Sequence, residues 1–402
     1  MSPTLNTEDM STRTLRVGVI GVGARSRLAL NALSPENNCA LVAVVETCSN
    51  AKERVEKQLG KNLKIFSTLE ELIEEGIDIA FITSPDDTHQ EVAVRLLRAG
   101  IAVYLEKPLA ITREGADEIL RVAYETKTKL YVGHNMRHMQ VVRLLREIIQ
   151  RGEIGEVKAI WCRHFVGSGG DFYFKDWHSQ RKHVGGLLLQ KAAHDIDVMN
   201  WLANSHPKQV VGMGGLTVYN QVTNRGGQGN KLMGQWHSLD NWPPLSQTGL
   251  SDKIDIEDIS MMLMQMENGV FASYQQCHYT PDYWRNYTVI GTAGRAENFG
   301  DGQGGHIKVW NKRTFYNPDG DLIYPIEADA HGHDDADKLT VKEFIRFVRD
   351  GSPTDTNPLA AWHAVNAGIG ATDSLRTGSS PVSLSSPPTE IETYFENNQL
   401  PQ

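Results

Sequence analysis

The chain has 402 residues, enough for two or three domains with a core in each. Its 40 basic and 49 acidic residues leave a formal charge of −9, a field that repels nucleic acid and anionic membrane, and 40% hydrophobic content excludes a disordered polypeptide. Cys39, Cys48, Cys162 and Cys277 form no Cys-x-x-Cys pair, the first thirteen residues are polar, and no apolar run reaches the ~18 residues of a spanning helix, so a soluble cytoplasmic protein without disulfides is expected.

After a polar tail (1–14), short β-branched runs alternate with helical patterns from Leu15 to about Val132. The strand candidates are Leu15–Ile20, Ala40–Glu46, Asp78–Thr83, Ile101–Leu105 and Leu130–Val132. This rhythm predicts an α/β fold, a doubly wound parallel sheet over residues 15–134. Beyond it, a helix (Met139 to Arg151), a strand (Val157 to Phe165), a helix (Leu187–Leu202) and alternating runs at Gln209–Tyr219, Asp255–Met266 and Val270–Tyr279 predict an α+β domain over 135–376 with an open, mostly antiparallel sheet. The polar stretch Asn220–Leu250 is too long for an ordinary connection and reads as a functional loop or partner arm. Helices are expected at Ala336–Arg349 and Pro358–Arg376, and residues 377–402, rich in Ser and Pro, read as an arm or loose tail.

The motifs lie at predicted strand ends. Gly21, Val22, Gly23, Ala24, Arg25 and Ser26 follow the first strand and open a helix, where amide donors and the helix dipole receive a pyrophosphate; Ser26 stands in place of a third glycine. Glu46 closes the next strand, where a carboxylate accepts ribose hydroxyls and repels a 2′-phosphate, so NAD is the expected cofactor. Thr83 to His89, containing Ser84 and Pro85, and Tyr104 to Ala110, containing Glu106 and Lys107, follow later strands at the same ligand-binding edge. These side chains are cofactor-site candidates. Lys107 is poised to hydrogen-bond a substrate hydroxyl and, with a lowered pKa, to carry its proton.

In this order, Gly21-x-Gly23, Pro85 to His89, Glu106-Lys107-Pro108, Gly185-Gly186 and His194-Asp195-Ile196-Asp197 resemble the glucose–fructose oxidoreductase / inositol dehydrogenase / rhizopine catabolism (Gfo/Idh/MocA) family, from Leu15 to about Arg376. The resemblance implies a Rossmann domain, a second domain with an open sheet, a nicotinamide cofactor, sugar or polyol substrates, and homodimers or homotetramers joined through the outer sheet face. It makes Lys107 a proton relay and His194 a catalytic acid/base. Dehydrogenases of that family often carry aspartate four residues before this histidine; here the position is Gln190, which orients a hydroxyl but exchanges no proton. Gln190, Lys191, His194 and Asp195 are expected on one side of a helix as substrate contacts.

Further substrate-site candidates are Arg163 with His164, and the Asp176–His183 segment, where Trp177 offers a face for a sugar ring and His178 and Arg181 offer donors. Tyr279 to Tyr287 has similar composition but also reads as sheet or subunit interface. His331 to Asp335 carries two imidazoles and two carboxylates; no complementary cluster exists, so no metal is expected, and His333 is placed near the substrate mouth. The expected function is NAD-dependent removal of hydride from a ring carbinol, C3 of a pyranose. The alternative is a redox-neutral, NAD-dependent hydrolase of an anionic glycoside such as a sulfoquinovoside; a non-catalytic nucleotide sensor is the third reading.

Overall fold

A computed structural model describes residues 13–327 and 333–400. Six strands, β1 (Leu15–Ile20), β2 (Cys39–Val45), β3 (Lys64–Phe66), β4 (Ile79–Ile82), β5 (Ala102–Leu105) and β6 (Leu130–Val132), form a parallel sheet in the order β3-β2-β1-β4-β5-β6. Strands β4 and β5 are buried throughout, as continuous apolar runs require when both faces are covered. One face packs Val17, Val19, Phe81, Tyr104 and Tyr131 against Val341, Phe344 and Val348 of the helix His333–Asp350. On the other, Ile82, Val103 and Leu105 meet Trp362 and Val365 of the helix Pro358–Arg376. The strand order reverses between β1 and β4, which opens a crevice at their C-terminal ends.

The second sheet has nine strands: β7 (Val157–Val166), β8 (Pro207–Gly215), β9 (Ile259–Met266), β10 (Phe271–Cys277), β11 (Tyr283–Gly291), β12 (Arg295–Phe299), β13 (His306–Trp310), β14 (Leu322–Pro325) and β15 (Val382–Ser383), in the order β14-β13-β12-β11-β7-β10-β9-β8-β15. Within this sheet only the β7–β10 pairing is parallel among the described strands. Its inner face packs on the helices Gln140–Gln150 and Ala192–Ala203, through Val142, Leu145, Ile196 and Met199 against Ile160, Tyr274, Tyr287 and Val289.

Two sequence expectations change. The strand expected over Gln209–Tyr219 stops at Gly215 because the buried Asp258 carboxylate accepts the N–H groups of Thr217, Val218 and Tyr219 at 2.7–2.9 Å, turning that backbone out of the ladder. The helix expected over Leu187–Leu202 forms two pieces, Leu187–Gln190 and Ala192–Ala203, joined at Lys191.

The C-terminal segment is packed. Val382 and Ser383 extend the sheet edge, Ile391 and Phe395 enter the core of the parallel-sheet half, and the Gln399 amide bonds both backbone groups of Leu130. The 220–250 segment also docks: Trp236 Nε1 donates to Asp171 O, and Asn230 binds Ser49 and Arg54 beside the crevice. Among the described residues no helix is long and apolar enough to cross a membrane.

Candidate active site

After β1 the chain turns over Gly21 at φ +81°, and a Cβ there would lie 2.5 Å from the Ser84 Cα, an approach open only to glycine. A Cβ on Gly23 would meet nothing within 4 Å, leaving room over the loop for a phosphate. The helix that follows, Ala24–Leu33, is wound as 3₁₀ turns. Ser26 is fully buried and its hydroxyl donates to Gly23 O at 2.7 Å, so the residue replacing the third glycine closes the first turn. Glu46 accepts the N–H groups of Val22 (2.9 Å), Thr47 (2.8 Å) and Cys48 (3.0 Å). Burial alone would raise its pKa, but those amides and Arg54 outweigh it and hold the carboxylate below its ordinary range. Open glycine loop and ionised acid together fit NAD. Glu46→Ser is expected to weaken NAD binding about tenfold and to narrow the preference over NADP, measured by fluorescence titration with both nucleotides; an unchanged ratio would contradict the assignment.

Arg25 and Glu106 bind each other. The Arg25 guanidinium donates to Glu106 at 2.6 Å and to Asp337 at 2.7 Å, tying the glycine loop to the end of β5 and to the helix His333–Asp350. His89 is likewise a brace, with Nδ1 2.7 Å from Pro108 O and Nε2 3.1 Å from Ser84 O. The Ser84 hydroxyl is bonded to Thr88, and Pro85 caps the short turn Asp86–Thr88.

Lys107 reaches across the crevice and donates from Nζ to Gln190 O at 3.0 Å. Burial pushes its pKa down, Asp86 pulls it up and Lys191 opposes, leaving it lowered to about 8. Burial raises the pKa of the Asp86 carboxyl, and the neighbouring Gln190 side chain opposes that shift. His194 lies one turn beyond Gln190, and its ring is 6.0 Å from that of His134, edge to face. His134 is buried, with burial pushing its pKa down to about 4, and it feels the Lys107 charge. Lys107, Asp86, Gln190, His134 and His194 therefore converge from β4, β5, β6 and the helix pair.

Asp195, expected beside His194 as a substrate contact, turns instead into the second sheet. Consecutive helical residues point about 100° apart, so one faces the crevice and the next does not. Asp195 has no exposure; it accepts from Arg285 Nε (3.1 Å), Tyr274 Oη (3.1 Å) and the Tyr287 hydroxyl, with His164 Nδ1 at 3.1 Å. Burial would raise its pKa, yet Arg285 and His164 hold it well below the usual carboxylate range. Lys191 stays at the crevice side, 3.3 Å from Tyr283 Oη.

The Trp177–His178 step stacks its rings at 3.7 Å, His178 Nδ1 lies 2.7 Å from Asp176, and His178 acts electrostatically on Asp86. His183 Nδ1 lies 2.8 Å from Asp87, clasping this loop to the strand-end segment. Arg181 points away: its guanidinium binds Asp255 O and Glu257 beside Arg376. Arg163 is also absent from the site, because the period-2 alternation of β7 sends it to the outer face with Asn286 and Glu297 while His164 faces in. His331 lies outside the described residues, as does the side chain of His333.

Asp86, His134, Tyr173 and His278 were not singled out individually by sequence, whereas Tyr283 and Arg285 lie in the Tyr279–Tyr287 segment read there as similar in composition to a sugar site. Asp86 carried the clearest signal, inside the strand-end segment that holds Pro85 and His89. A trio of ligand-type atoms from His138, Glu343 and Asp355 clusters within 4.8 Å, but Arg143 donates to both His138 and Asp355, filling it with a guanidinium.

Residues 15–134 match the family model described as oxidoreductase family, NAD-binding Rossmann fold, and residues 142–297 match the GFO/IDH/MocA C-terminal domain. Inositol 2-dehydrogenase of Rhizobium meliloti is 29% identical over 197 residues, covering 49% of this chain and 57% of that protein. 1,5-Anhydro-D-fructose reductase of Ensifer adhaerens is 30% identical over 175 residues, covering 42% and 51%. The chain thus spans little more than half the length of these curated relatives. Levoglucosan dehydrogenase, in complex with NADH and levoglucosan, aligns at TM-score 0.74 over 93% of this chain and 100% of its own, with 18% identity, a likeness of fold.

Proposed function

Because the chain belongs to the Gfo/Idh/MocA oxidoreductase family, we propose that it oxidises a ring carbinol of a sugar or polyol, C3 where the substrate is a pyranose, with Lys107 as proton acceptor. The observation that carries this reading is the Lys107 amine, held by Gln190 O at the end of β5 with its pKa lowered to about 8. NAD, when bound, supplies the hydride acceptor. As the carbinol C–H is lost as hydride, the O–H bond breaks, its proton passes to neutral Lys107 and a ketone forms. His194 holds the same hydroxyl as a second acid/base group, and in the reverse direction the Lys107 ammonium returns the proton. Gln190 and Asp86 set the position and charge of Lys107, and Trp177 and His178 close the side toward the sugar.

The test is incubation with NAD and a panel of sugars, polyols and aryl glycosides, following reduced nicotinamide and aglycone together. NADH accumulating in step with sugar consumption is expected; NAD-requiring aglycone release without net NADH would contradict it. The redox-neutral glycosidase rests on Gln190 in place of a carboxylate and on the cationic loop from His178 to His183. Asp86, which acts electrostatically on Lys107, returns a carboxyl group to its surroundings, and the relatives described above are named as dehydrogenases and a reductase. Nothing in the site favours the hydrolase.

Asp86→Asn removes an anion that favours the Lys107 ammonium. The Lys107 pKa then falls, and the rising limb of kcat/KM against pH for oxidation is expected to move about one unit below its wild-type position; an unmoved limb would exclude coupling between the two groups.

We place the protein in the cytoplasm as a homo-oligomer. The four cysteines are free thiols, which suits a reducing compartment. Trp161, Met213, Met261, Leu263 and Phe271 form an exposed apolar band on the outer sheet face, the kind of patch that marks an interface. Light scattering is expected to give at least twice the chain mass, and Phe271→Glu to lower it; a monomeric wild type would contradict the assembly.

A further inference from the structure

The buried lysines and arginines of the described structure are Arg137, Lys175, Lys191 and Arg285. Three have a carboxylate: Arg137 pairs with Asp197 at 2.6 Å, Lys175 with Asp171 at 2.7 Å and Arg285 with Asp195 at 3.1 Å. Lys191, only 8% exposed, has none within ion-pair distance among the described residues. Its polar partners are phenols, Tyr283 Oη at 3.3 Å and the hydroxyl of Tyr173. A buried charge without a counter-ion is expensive, and such a group persists where a ligand supplies the missing charge.

The surroundings of Lys191 are rich in hydrogen-bond donors. His278 has no exposure, neither ring nitrogen has a partner, and its ring meets Tyr173 edge to face at 5.2 Å. Buried His164 leaves Nε2 without a partner and packs its ring 5.6 Å from Tyr283. Burial would raise the Tyr283 pKa, but Arg285 and Lys191 together lower it, so positive potential concentrates at that hydroxyl. Burial pulls Lys191 toward neutrality, yet its two phenols outweigh it and its pKa is raised, so it is charged at neutral pH. This cluster belongs to the substrate side, between the helix that carries His194 and the start of β11. The phosphate cradle lies elsewhere, at Gly21 and Gly23.

We propose that Lys191, with Tyr173, Tyr283 and His278, binds an oxyanion on the substrate, so that the enzyme acts on a sugar or polyol bearing a carboxylate or sulfonate. Lys191 adjoins Gln190, whose carbonyl holds Lys107, which places this substituent close to the carbinol that Lys107 serves. The substrate class deepens the oxidoreductase reading and rests on it for the reaction, whereas the binding claim stands on Lys191 alone.

The test is calorimetric titration of the NADH-loaded protein with hexuronates, aldonates and a 6-sulfonated hexose, each beside its neutral parent, together with NADH formation from the same compounds and NAD. Wild type is expected to bind an anionic member at least tenfold more tightly than its neutral parent, and the tighter of the carboxylate and sulfonate arms identifies the group. Lys191→Met is expected to erase that preference and Lys191→Arg to restore part of it. Tyr283→Phe, which keeps the ring, lowers the preference severalfold and serves if the Lys191 variants do not fold. Equal or tighter binding of the neutral parents, or a preference that survives Lys191→Met, would overturn the inference. NADH formed from neutral sugars without anion preference sinks this inference and leaves the oxidoreductase reading standing. Anion binding lost in Lys191→Met, with no NADH from any compound, upholds the site and sinks that reading.

Discussion

Replacement of Lys107 by methionine is expected to lower turnover about 10³-fold while NAD still binds, because it removes the group that accepts the hydroxyl proton and leaves the glycine loop and Glu46 untouched. The pH profile separates proton transfer from simple charge. Lys107 must be neutral to accept a proton, so wild-type kcat/KM for oxidation rises with pH to about 8 and is level above it. In Lys107→Met that limb disappears. Lys107→Arg keeps a positive charge at every working pH and cannot give up its proton, so it is expected to be as poor as methionine. An arginine variant with near wild-type turnover would reduce Lys107 to an electrostatic anchor.

The largest stability effect is expected at Asp195. Asp195→Asn leaves the Arg285 guanidinium, 1% exposed, with Asp301 at 3.9 Å as its remaining carboxylate, and breaking a buried pair from one side costs about 3–5 kcal/mol. Urea denaturation should show a lower midpoint with little change in slope; a loss below about 1 kcal/mol would mean that the amide oxygen of the variant and Asp301 suffice for Arg285. The sign of the pH dependence follows from the depressed carboxylate pKa. The stabilisation is present above the unfolded value of about 4 and is lost as pH falls toward the folded one. Wild type therefore loses this contribution progressively as pH falls below about 4, and the variant lacks it at every pH.

The parallel sheet was legible because its apolar runs are continuous and its glycines and acid sit where strands end. Lys107 was legible for the same reason, since β5 delivers it to the edge where the strand order reverses. Asp195 and Arg163 were misplaced by a fraction of a helical turn and by one step of strand parity. Two adjacent polar residues, Arg163 and His164, give no sign of which faces inward until the partners of β7 are known. Asp86, Tyr173, His278, Tyr283 and Arg285 acquire meaning only through contacts with other segments of the chain. The isolation of Lys191 among buried cations is also a tertiary fact, because it is defined by where the aspartates are.

The central claim is that a ring carbinol gives its hydride to the nicotinamide while Lys107 takes the proton. Its most direct test uses a substrate deuterated at the carbinol carbon and mass analysis of the reduced cofactor. The account predicts one deuterium per NADH formed, a slowed hydride-transfer step with the label, and no labelled product from Lys107→Met at neutral pH. Unlabelled NADH, or label lost to solvent, would contradict it.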